Sequence, residues 1–340
     1  MDFAELGRVA RALVAPGKGI LAADESSGTI KRRFDGIGLA STEQTRRDYR
    51  ELLLAAGAGD HLSGVILYDE TLRQSASDGR PFVEVLRAQG IIPGIKVDKG
   101  TKPLPFAPEE TITEGLDGLR ERCAEYRAMG AGFAKWRAVI RIGPHLPTTD
   151  CIDTNAHALA RYAAITQEQG LVPIVEPEVL MDGPHDLERC RSVTEAVLAR
   201  VFYELHRQRV APEAMLLKPN MVVAGSEATH RSGAAEIATA TLGTLKRCVP
   251  AAVPGIVFLS GGQSEEEATA NLAAINARGP HPWQISFSYG RALQQSALLA
   301  WGGNRGNVAA ARRAFLHRAR MNGLARDGRW TPDSEREYAG

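Results

Sequence analysis

The chain has 340 residues, of which 44% are hydrophobic and 24% are charged, and its formal net charge is +1. This composition is typical of a globular protein, and the small net charge gives no electrostatic reason to expect nucleic acid or a membrane as a partner. No segment approaches the roughly 18 consecutive apolar residues that a membrane span needs, and the acidic, polar N-terminus is unlike a secretory signal. We therefore expect a cytoplasmic protein.

Short strand-like segments recur along the chain at intervals of about 30 to 45 residues, which is room for a strand, a helix and two loops. They are Gly19–Asp24, Gly64–Asp69, Ile92–Asp98, Phe133–Ile140, Val172–Val179, Ala214–Val222, Gly255–Ser260 and Gln284–Tyr289. Helical periodicity lies between them, for example in Gly115–Met129, Asp153–Gln169, His185–Arg207, Ala234–Cys248 and Glu265–Asn276.

This alternation predicts parallel strands joined by right-handed crossovers, and eight repeats favour a closed (β/α)₈ TIM barrel. A doubly wound Rossmann sheet is disfavoured because no Gly-x-Gly-x-x-Gly follows the first strand and no Walker loop is present. We expect one barrel domain over residues 1–332 and a short C-terminal tail over residues 333–340.

Polar residues gather at the C-terminal ends of the predicted strands, in chain order Asp24, Lys96, Asp98, Lys135, Arg137, Glu176, Glu178, Lys218, Ser260, Ser288 and Arg291. Side chains alternate between the two faces of a strand, so Glu176 and Glu178 can point the same way, as can Lys135 and Arg137. In a barrel these strand ends meet at one mouth, where catalytic groups collect. The pattern therefore predicts one site built from many repeats.

Lys218 stands in the strongly apolar segment Ala214–Val222, where an ammonium group is unusual. Burial disfavours the charged form of a lysine, and a neutral amine can form a Schiff base with a carbonyl substrate. An ion-paired or snorkelling lysine at a strand end is the alternative for this segment alone. Neighbouring lysines and carboxylates favour the Schiff base, because an acid must protonate the departing carbinolamine hydroxyl. The iminium is itself the electron sink, so we expect no metal and no cofactor.

Two glycine-containing loops have the composition of phosphate sites. Leu259–Ser264 places two glycines after the seventh strand, and Ser286–Arg291 joins a glycine to an arginine after the eighth. Barrel enzymes often bind phosphate in these loops. Asp24–Thr29 is a third candidate, although a turn or helix cap explains it equally well. Two phosphate sites across one mouth would imply a bisphosphorylated substrate.

A structural metal site or a disulfide framework is not expected. The four cysteines, Cys123, Cys151, Cys190 and Cys248, show no Cys-x-x-Cys spacing, and the histidines form no His-x-His pair.

Several long motifs resemble the class I, or Schiff-base, fructose-bisphosphate aldolases. They are Ala15–Ser26, Gly94–Gly100, Phe133–Arg137, Val175–Glu178, Leu217–Met221, Leu259–Glu267 and Phe287–Leu293. The resemblance implies metal-independent, reversible cleavage of fructose 1,6-bisphosphate to dihydroxyacetone phosphate and glyceraldehyde 3-phosphate, in glycolysis and gluconeogenesis. It also implies a homotetramer that acts on phosphorylated ketoses and trioses.

The resemblance implies a role for each matching residue. Lys218 would form the Schiff base, with Glu176 as general acid/base and Glu178 in support. Asp24 would exchange the hydroxyl proton during carbon–carbon cleavage, and Lys135 would stabilise developing negative charge. The substrate-binding residues would be Ser260, Gly261, Gly262, Ser288, Gly290 and Arg291 for the ketone-side phosphate, Ser26, Arg33 and Lys96 for the other phosphate, and Arg137.

The sequence departs from the family pattern at three places. Arg32 occupies a position where the family commonly has lysine, and Thr29 replaces a serine, so the second phosphate site can differ. Animal members end in a long tail whose terminal tyrosine takes part in proton exchange. Here Tyr338 in a short tail either takes that role or belongs to a terminus without function.

Three other functions remain open at this point. A transaldolase-like or deoxyribose-phosphate aldolase-like enzyme would share the lysine chemistry but not these motifs. A metal-dependent aldolase is disfavoured by the isolated histidines. A catalytically idle barrel that serves as a binding scaffold is the third alternative.

Overall fold

The structure is a computed structural model that describes residues 2–336. Ten strands are present: β1 (Gly19–Ala23), β2 (Leu62–Leu67), β3 (Ile92–Lys96), β4 (Thr101–Leu104), β5 (Ala107–Thr113), β6 (Phe133–Ile140), β7 (Val172–Val179), β8 (Leu216–Leu217), β9 (Gly255–Phe258) and β10 (Gln284–Tyr289). All except β4 and β5 form a closed parallel barrel in which β1 pairs with both β2 and β10. The predicted (β/α)₈ fold is confirmed.

Helices surround the barrel. They are α1 (Phe3–Leu13), α2 (Ser27–Asp35), α3 (Glu43–Leu54), α4 (Asp69–Leu72), α5 (Phe82–Arg87), α6 (Leu119–Ala128), α7 (Thr149–Glu168), α8 (Leu187–Arg207), α9 (Ala234–Cys248), α10 (Glu265–Asn276), α11 (Arg291–Trp301) and α12 (Val308–Arg326). The predicted bounds are correct for α9 and α10, whereas α6, α7 and α8 have shifted ends. Within residues 2–336, no helix combines the length and apolar character that crossing a bilayer requires.

The sixth barrel strand is much shorter than predicted. Only Leu216–Leu217 is a strand, although the apolar segment extends from Ala214 to Val222. The backbone N–H of Lys218 still donates to Val175 O at 2.8 Å, but Pro219 has no N–H to continue the ladder. The carbonyl oxygen of Pro219 still accepts a hydrogen bond from Leu259 N at 3.1 Å, so the regular strand ends at this point and Lys218 lies at the mouth.

Strands β4 and β5 form an antiparallel hairpin that the strand–helix alternation does not predict. The hydroxyl groups of Thr111 and Thr113 donate to the carbonyl oxygens of Val139, at 3.1 Å, and Arg137, at 2.7 Å. The hairpin therefore lies against β6, beside the barrel mouth.

The end of the barrel opposite the mouth is closed by α1. Leu6, Ala10 and Leu13 of this helix belong to one buried cluster with Phe133 and other inward-facing strand residues, Ile20, Ile66, Val172, Ile174, Leu216 and Val257. Gly64 provides the space for this contact, since a Cβ there would lie 2.7 Å from Leu13 and 3.1 Å from the ring of Phe133. The inside of the barrel is thus apolar at this end and charged at the other.

The C-terminal segment begins with a short 3₁₀ helix at Pro332–Glu335. The carboxylate of Glu335 accepts hydrogen bonds from Arg318 Nη1, at 2.6 Å, and Trp330 Nε1, at 3.0 Å. Tyr338 lies outside the described residues, so its predicted role stays a prediction.

Candidate active site

A cavity of about 380 Å³ opens at the C-terminal ends of the barrel strands. Every residue to which the family resemblance gives a role in catalysis or substrate binding lines it: Asp24, Ser26, Arg33, Lys96, Lys135, Arg137, Glu176, Glu178, Lys218, Ser260, Gly261, Gly262, Ser288, Gly290 and Arg291. Of the polar strand-end residues in the sequence, Asp98 does not line it. Glu25, Thr29, Ala22 and Leu259 also line the cavity. The loops after strands far apart in sequence thus converge on one space.

Two lysines and two carboxylates form a buried cluster at the base of the cavity. Lys218 Nζ lies 3.1 Å from Glu176 Oε1, and Lys135 Nζ lies 3.3 Å from Glu176 Oε2. Lys135 Nζ also lies 2.6 Å from Asp24 Oδ2. Lys135, Glu176 and Lys218 come from the adjacent strands β6, β7 and β8, whereas Asp24 follows β1 on the other side of the barrel. Glu176 bridges the two lysine nitrogens.

The protonation of this cluster follows from its geometry. Burial alone would raise the pKa values of Asp24 and Glu176, but Lys135 and Lys218 outweigh it and hold both values below their usual range. Burial alone would lower the pKa of Lys135, but Asp24 and Glu176 raise it above its usual range. At neutral pH the site therefore holds two carboxylates, Asp24 and Glu176, and an ammonium group at Lys135.

A second pair of charges lies above this cluster. Arg137 Nε contacts Glu178 Oε2, and the Arg137 side chain is 41% exposed at the cavity. Burial would lower the pKa of Arg137, but Glu178 raises it. Lys96 Nζ lies 3.1 Å from Asp98 Oδ1 on the side of the mouth formed by β3.

The loop after β9 is shaped to bring backbone N–H groups to the cavity. Gly261 and Gly262 both have positive φ angles, of 33° and 55°. A Cβ on Gly262 would lie 2.2 Å from Met181 Sδ, so no side chain fits there. Successive residues of this kind form a concave surface suited to an anion, and Ser260 adds a hydroxyl.

The loop after β10 adds a helix N-terminus. Gly290 is the N-cap of α11 and supplies no side-chain cap, which leaves the first N–H groups free for an anion. Ser288 is buried, and its Oγ has no hydrogen-bond partner among residues 2–336. Arg291 Nη2 donates to Gln263 O at 3.2 Å, which joins this loop to the one after β9. Together the two loops can surround one phosphate.

The third loop follows β1 and continues into α2. Ser26 Oγ lies 3.2 Å from Thr29 Oγ1, and Arg32 Nη2 donates to the same Thr29 oxygen at 3.4 Å. Arg33 lines the cavity, and its Nη2 lies 3.7 Å from where a Cβ on Gly290 would be. Because β1 and β10 are neighbours, Arg33 lies between the loop after β1 and the loop after β10.

The chain is similar in sequence to proteins of one known enzyme family. Residues 5–340 match the family model described as fructose-bisphosphate aldolase class-I. The chain belongs to this family. A relative named "Fructose-bisphosphate aldolase 1", from Toxoplasma gondii, is 56% identical, with 96% of this chain and 91% of the relative covered. A "Probable fructose-bisphosphate aldolase class 1" of Xanthomonas campestris is 54% identical, with 97% and 99% covered.

The fold of the chain also matches that of a solved structure from the same family. It contains the fructose-bisphosphate aldolase of Plasmodium falciparum in complex with TRAP and a small-molecule inhibitor. Its TM-score is 0.96 at 53% identity, and the match covers 97% of this chain and 96% of that one. The predicted family and the predicted activity are confirmed: this is a class I fructose-bisphosphate aldolase, a glycolytic lyase.

The aldolase site contains charged residues that the sequence did not identify. Glu25 forms ion pairs with Arg33, at 2.5 Å, and with Arg50, at 2.6 Å. Glu25 directly follows the predicted catalytic residue Asp24, and this position in the sequence could have identified it as a site residue. Arg50 is an arginine within an ordinary helix, and nothing in its local sequence points to the site.

Among residues 2–336, no group of three or more His, Cys, Asp or Glu side chains is arranged to hold a metal ion.

Proposed function

We propose that this aldolase cleaves fructose 1,6-bisphosphate through a Schiff base on Lys218. The observation that carries the proposal is the 3.1 Å separation of Lys218 Nζ from Glu176 Oε1 inside a cavity of about 380 Å³. A nucleophilic amine needs a neighbouring base to accept its proton, and this distance allows direct transfer.

Glu176 is proposed to carry that proton through carbinolamine formation and dehydration. Its lowered pKa means that it begins as a carboxylate and can accept a proton as Lys218 attacks the ketone carbon. A second proton of the Lys218 nitrogen passes to the ketone oxygen to form the carbinolamine hydroxyl, and Glu176 then returns the first proton to that hydroxyl, which leaves as water and generates the iminium. One carboxylate thus acts first as base and then as acid.

Asp24 and Lys135 are proposed to assist the carbon–carbon cleavage. Asp24, which is also a carboxylate at neutral pH, removes the proton from the hydroxyl group that becomes the aldehyde. The electron pair of the breaking bond moves to the iminium and forms an enamine. Lys135 lies between Asp24 and Glu176, so its ammonium group can stabilise negative charge that develops at either position. Glu178 would support this network from its contact with Arg137.

The substrate phosphates are proposed to bind at opposite parts of the mouth. The loops after β9 and β10 would hold the ketone-side phosphate through Ser260, Gly261, Gly262, Ser288, Gly290 and Arg291. Lys96, Arg137, Ser26 and Arg33 would serve the rest of the substrate and its other phosphate. Two anion sites on either side of an amine favour a bisphosphorylated ketose over a neutral sugar.

Borohydride trapping tests this proposal. Reduction in the presence of dihydroxyacetone phosphate should attach the three-carbon phosphate irreversibly to Lys218, as seen by peptide mass spectrometry. Attachment to another lysine, or no attachment, would contradict the assignment.

Arg291→Ala should weaken substrate binding more than chemistry. A charge-assisted hydrogen bond to phosphate contributes about 1.5–3 kcal/mol, so we expect KM for fructose 1,6-bisphosphate to rise at least about tenfold. Arg305→Ala is the matched control, because Arg305 is 83% exposed and pairs with Asp48 away from the cavity. Steady-state kinetics measure both variants, and an unchanged KM in Arg291→Ala would exclude this phosphate site.

We further propose a cytoplasmic homotetramer. The resemblance to the family supports the tetramer, and the four cysteines without disulfide partners suit a reducing compartment. Light scattering would then give a mass near four times the 36.6 kDa of the chain, and a mass near 36.6 kDa would exclude the tetramer.

A further inference from the structure

A buried ion-pair network extends from Arg33, through Glu25 at the cavity wall, to Arg50, which does not line the cavity. The carboxylate of Glu25 has one oxygen 2.5 Å from Arg33 Nη1 and the other 2.6 Å from Arg50 Nη2. The side chains of Glu25 and Arg50 are 5% and 3% exposed, whereas Arg33 is 22% exposed and lines the cavity. Of the two arginines, only Arg33 can therefore meet a substrate.

The carboxylate of Glu25 is held in place from several directions. Gln294 Nε2 donates to Glu25 Oε1 at 3.0 Å and to Ala22 O at 2.8 Å. The hydroxyl of Tyr49, itself fully buried, donates to Gln294 Oε1 at 3.1 Å. Glu25 therefore cannot move away from Arg33 without breaking a chain of buried hydrogen bonds.

The charge of this network depends on Arg50. Burial alone would raise the pKa of Glu25, but Arg50 and then Arg33 lower it, so Glu25 is a carboxylate at neutral pH. One carboxylate shared by two guanidinium groups leaves a net charge of +1. Without Arg50, the negative charge of Glu25 would cancel the positive charge of Arg33, whose Nη1 lies 2.5 Å from Glu25 Oε1.

We propose that Arg50 is a positioning residue that, by offsetting the charge of Glu25, keeps the ion-pair network at Arg33 net positive toward a phosphate group of the substrate. Glu25 holds the guanidinium of Arg33 at the mouth, but its negative charge also neutralises the positive charge of Arg33. The positive charge of Arg50 compensates for this neutralisation. The inference deepens the proposed function, because it assumes that a substrate phosphate binds beside Arg33.

Charge removal and charge rescue together test this role. Arg50→Met should raise KM for fructose 1,6-bisphosphate about tenfold, as expected for the loss of one effective charge at a phosphate site, while kcat falls less than about threefold. The double variant Glu25→Gln with Arg50→Met again leaves a net charge of +1 on Arg33. Its KM should return to within about threefold of the wild-type value.

A purely structural role for Arg50 predicts a different result. Removing both partners would then be no better than removing one, so a KM that stays about tenfold raised in the double variant overturns the proposal. Arg47→Met is the matched control, since Arg47 lies on the same helix and pairs with Asp48 and Glu51 instead. Its KM should equal that of the wild type.

Folding of each variant is checked by circular dichroism and thermal unfolding. If Arg50→Met does not fold, Arg50→Lys, which keeps the charge, and the double variant decide the question. Both should have KM values within about threefold of the wild type, and a tenfold rise in either overturns the proposal.

Borohydride trapping separates this inference from the proposed function. If wild-type Lys218 is not labelled by dihydroxyacetone phosphate, the proposed function fails whatever the KM values are. If Lys218 is labelled in both wild type and Arg50→Met, and the KM values are equal, only the role of Arg50 fails.

Discussion

Lys218→Ala should reduce the rate of fructose 1,6-bisphosphate cleavage by at least about three orders of magnitude, because no covalent intermediate can form. The fold should survive the change. Glu176 keeps its second ammonium partner, Lys135, at 3.3 Å, so no buried carboxylate is left without a cation. Steady-state kinetics and borohydride trapping measure the effect.

Lys246→Ala provides the control for this experiment. Lys246 is exposed near the C-terminal end of α9 and should be replaceable without loss of rate. Cleavage by Lys218→Ala at a rate near that of the wild type would require another nucleophile and would remove Lys218 from the mechanism.

Glu176→Gln should reduce kcat/KM by about a hundredfold to ten-thousandfold, the range that a positioned general acid/base contributes. Glutamine has nearly the same shape and can still accept a hydrogen bond from Lys218, but it cannot relay a proton to the carbinolamine hydroxyl. Lys135 retains Asp24 at 2.6 Å, so the variant should fold. The rate of Schiff-base formation, followed by timed borohydride quenching, should fall together with turnover.

The control variant is Glu188→Gln, whose carboxylate is 68% exposed and pairs with Arg191 on the surface. It should trap dihydroxyacetone phosphate at the wild-type rate. Equally fast trapping in Glu176→Gln would show that the proton passes through another group, and Asp24 would then be the first alternative.

The barrel was predictable because its strands have distinctive apolar patterns. Phe133–Ile140, Val172–Val179 and Gln284–Tyr289 have the bounds that the sequence predicts, since each is apolar on the outward face throughout. The sixth strand was predicted too long, because apolar composition alone does not reveal that Pro219 ends the hydrogen-bond ladder. The β4–β5 hairpin was missed because its residues are largely exposed and follow no strand–helix rhythm.

The sequence predicts the site residues that lie in or directly after a barrel strand. It does not predict a contact between elements that are far apart in the sequence. Lys135 and Glu176 occupy inward-facing positions of β6 and β7, and Lys218 directly follows β8, so the adjacency of these strands brings the three side chains together. Arg50 instead reaches Glu25 from the middle of α3. The local pattern of a helix does not distinguish this arginine from Arg47, which pairs on the surface.

The apolar closure of the barrel by α1 has a consequence for the order in which products leave. Substrate and both fragments must pass through the same opening, because Leu13, Phe133 and their neighbours exclude water and charge from the opposite end. If Lys218 holds the ketone fragment covalently, the aldehyde has to depart first through the space above it. The vacated space then becomes the route by which solvent reaches the enamine, so proton exchange with water is coupled to departure of the first product.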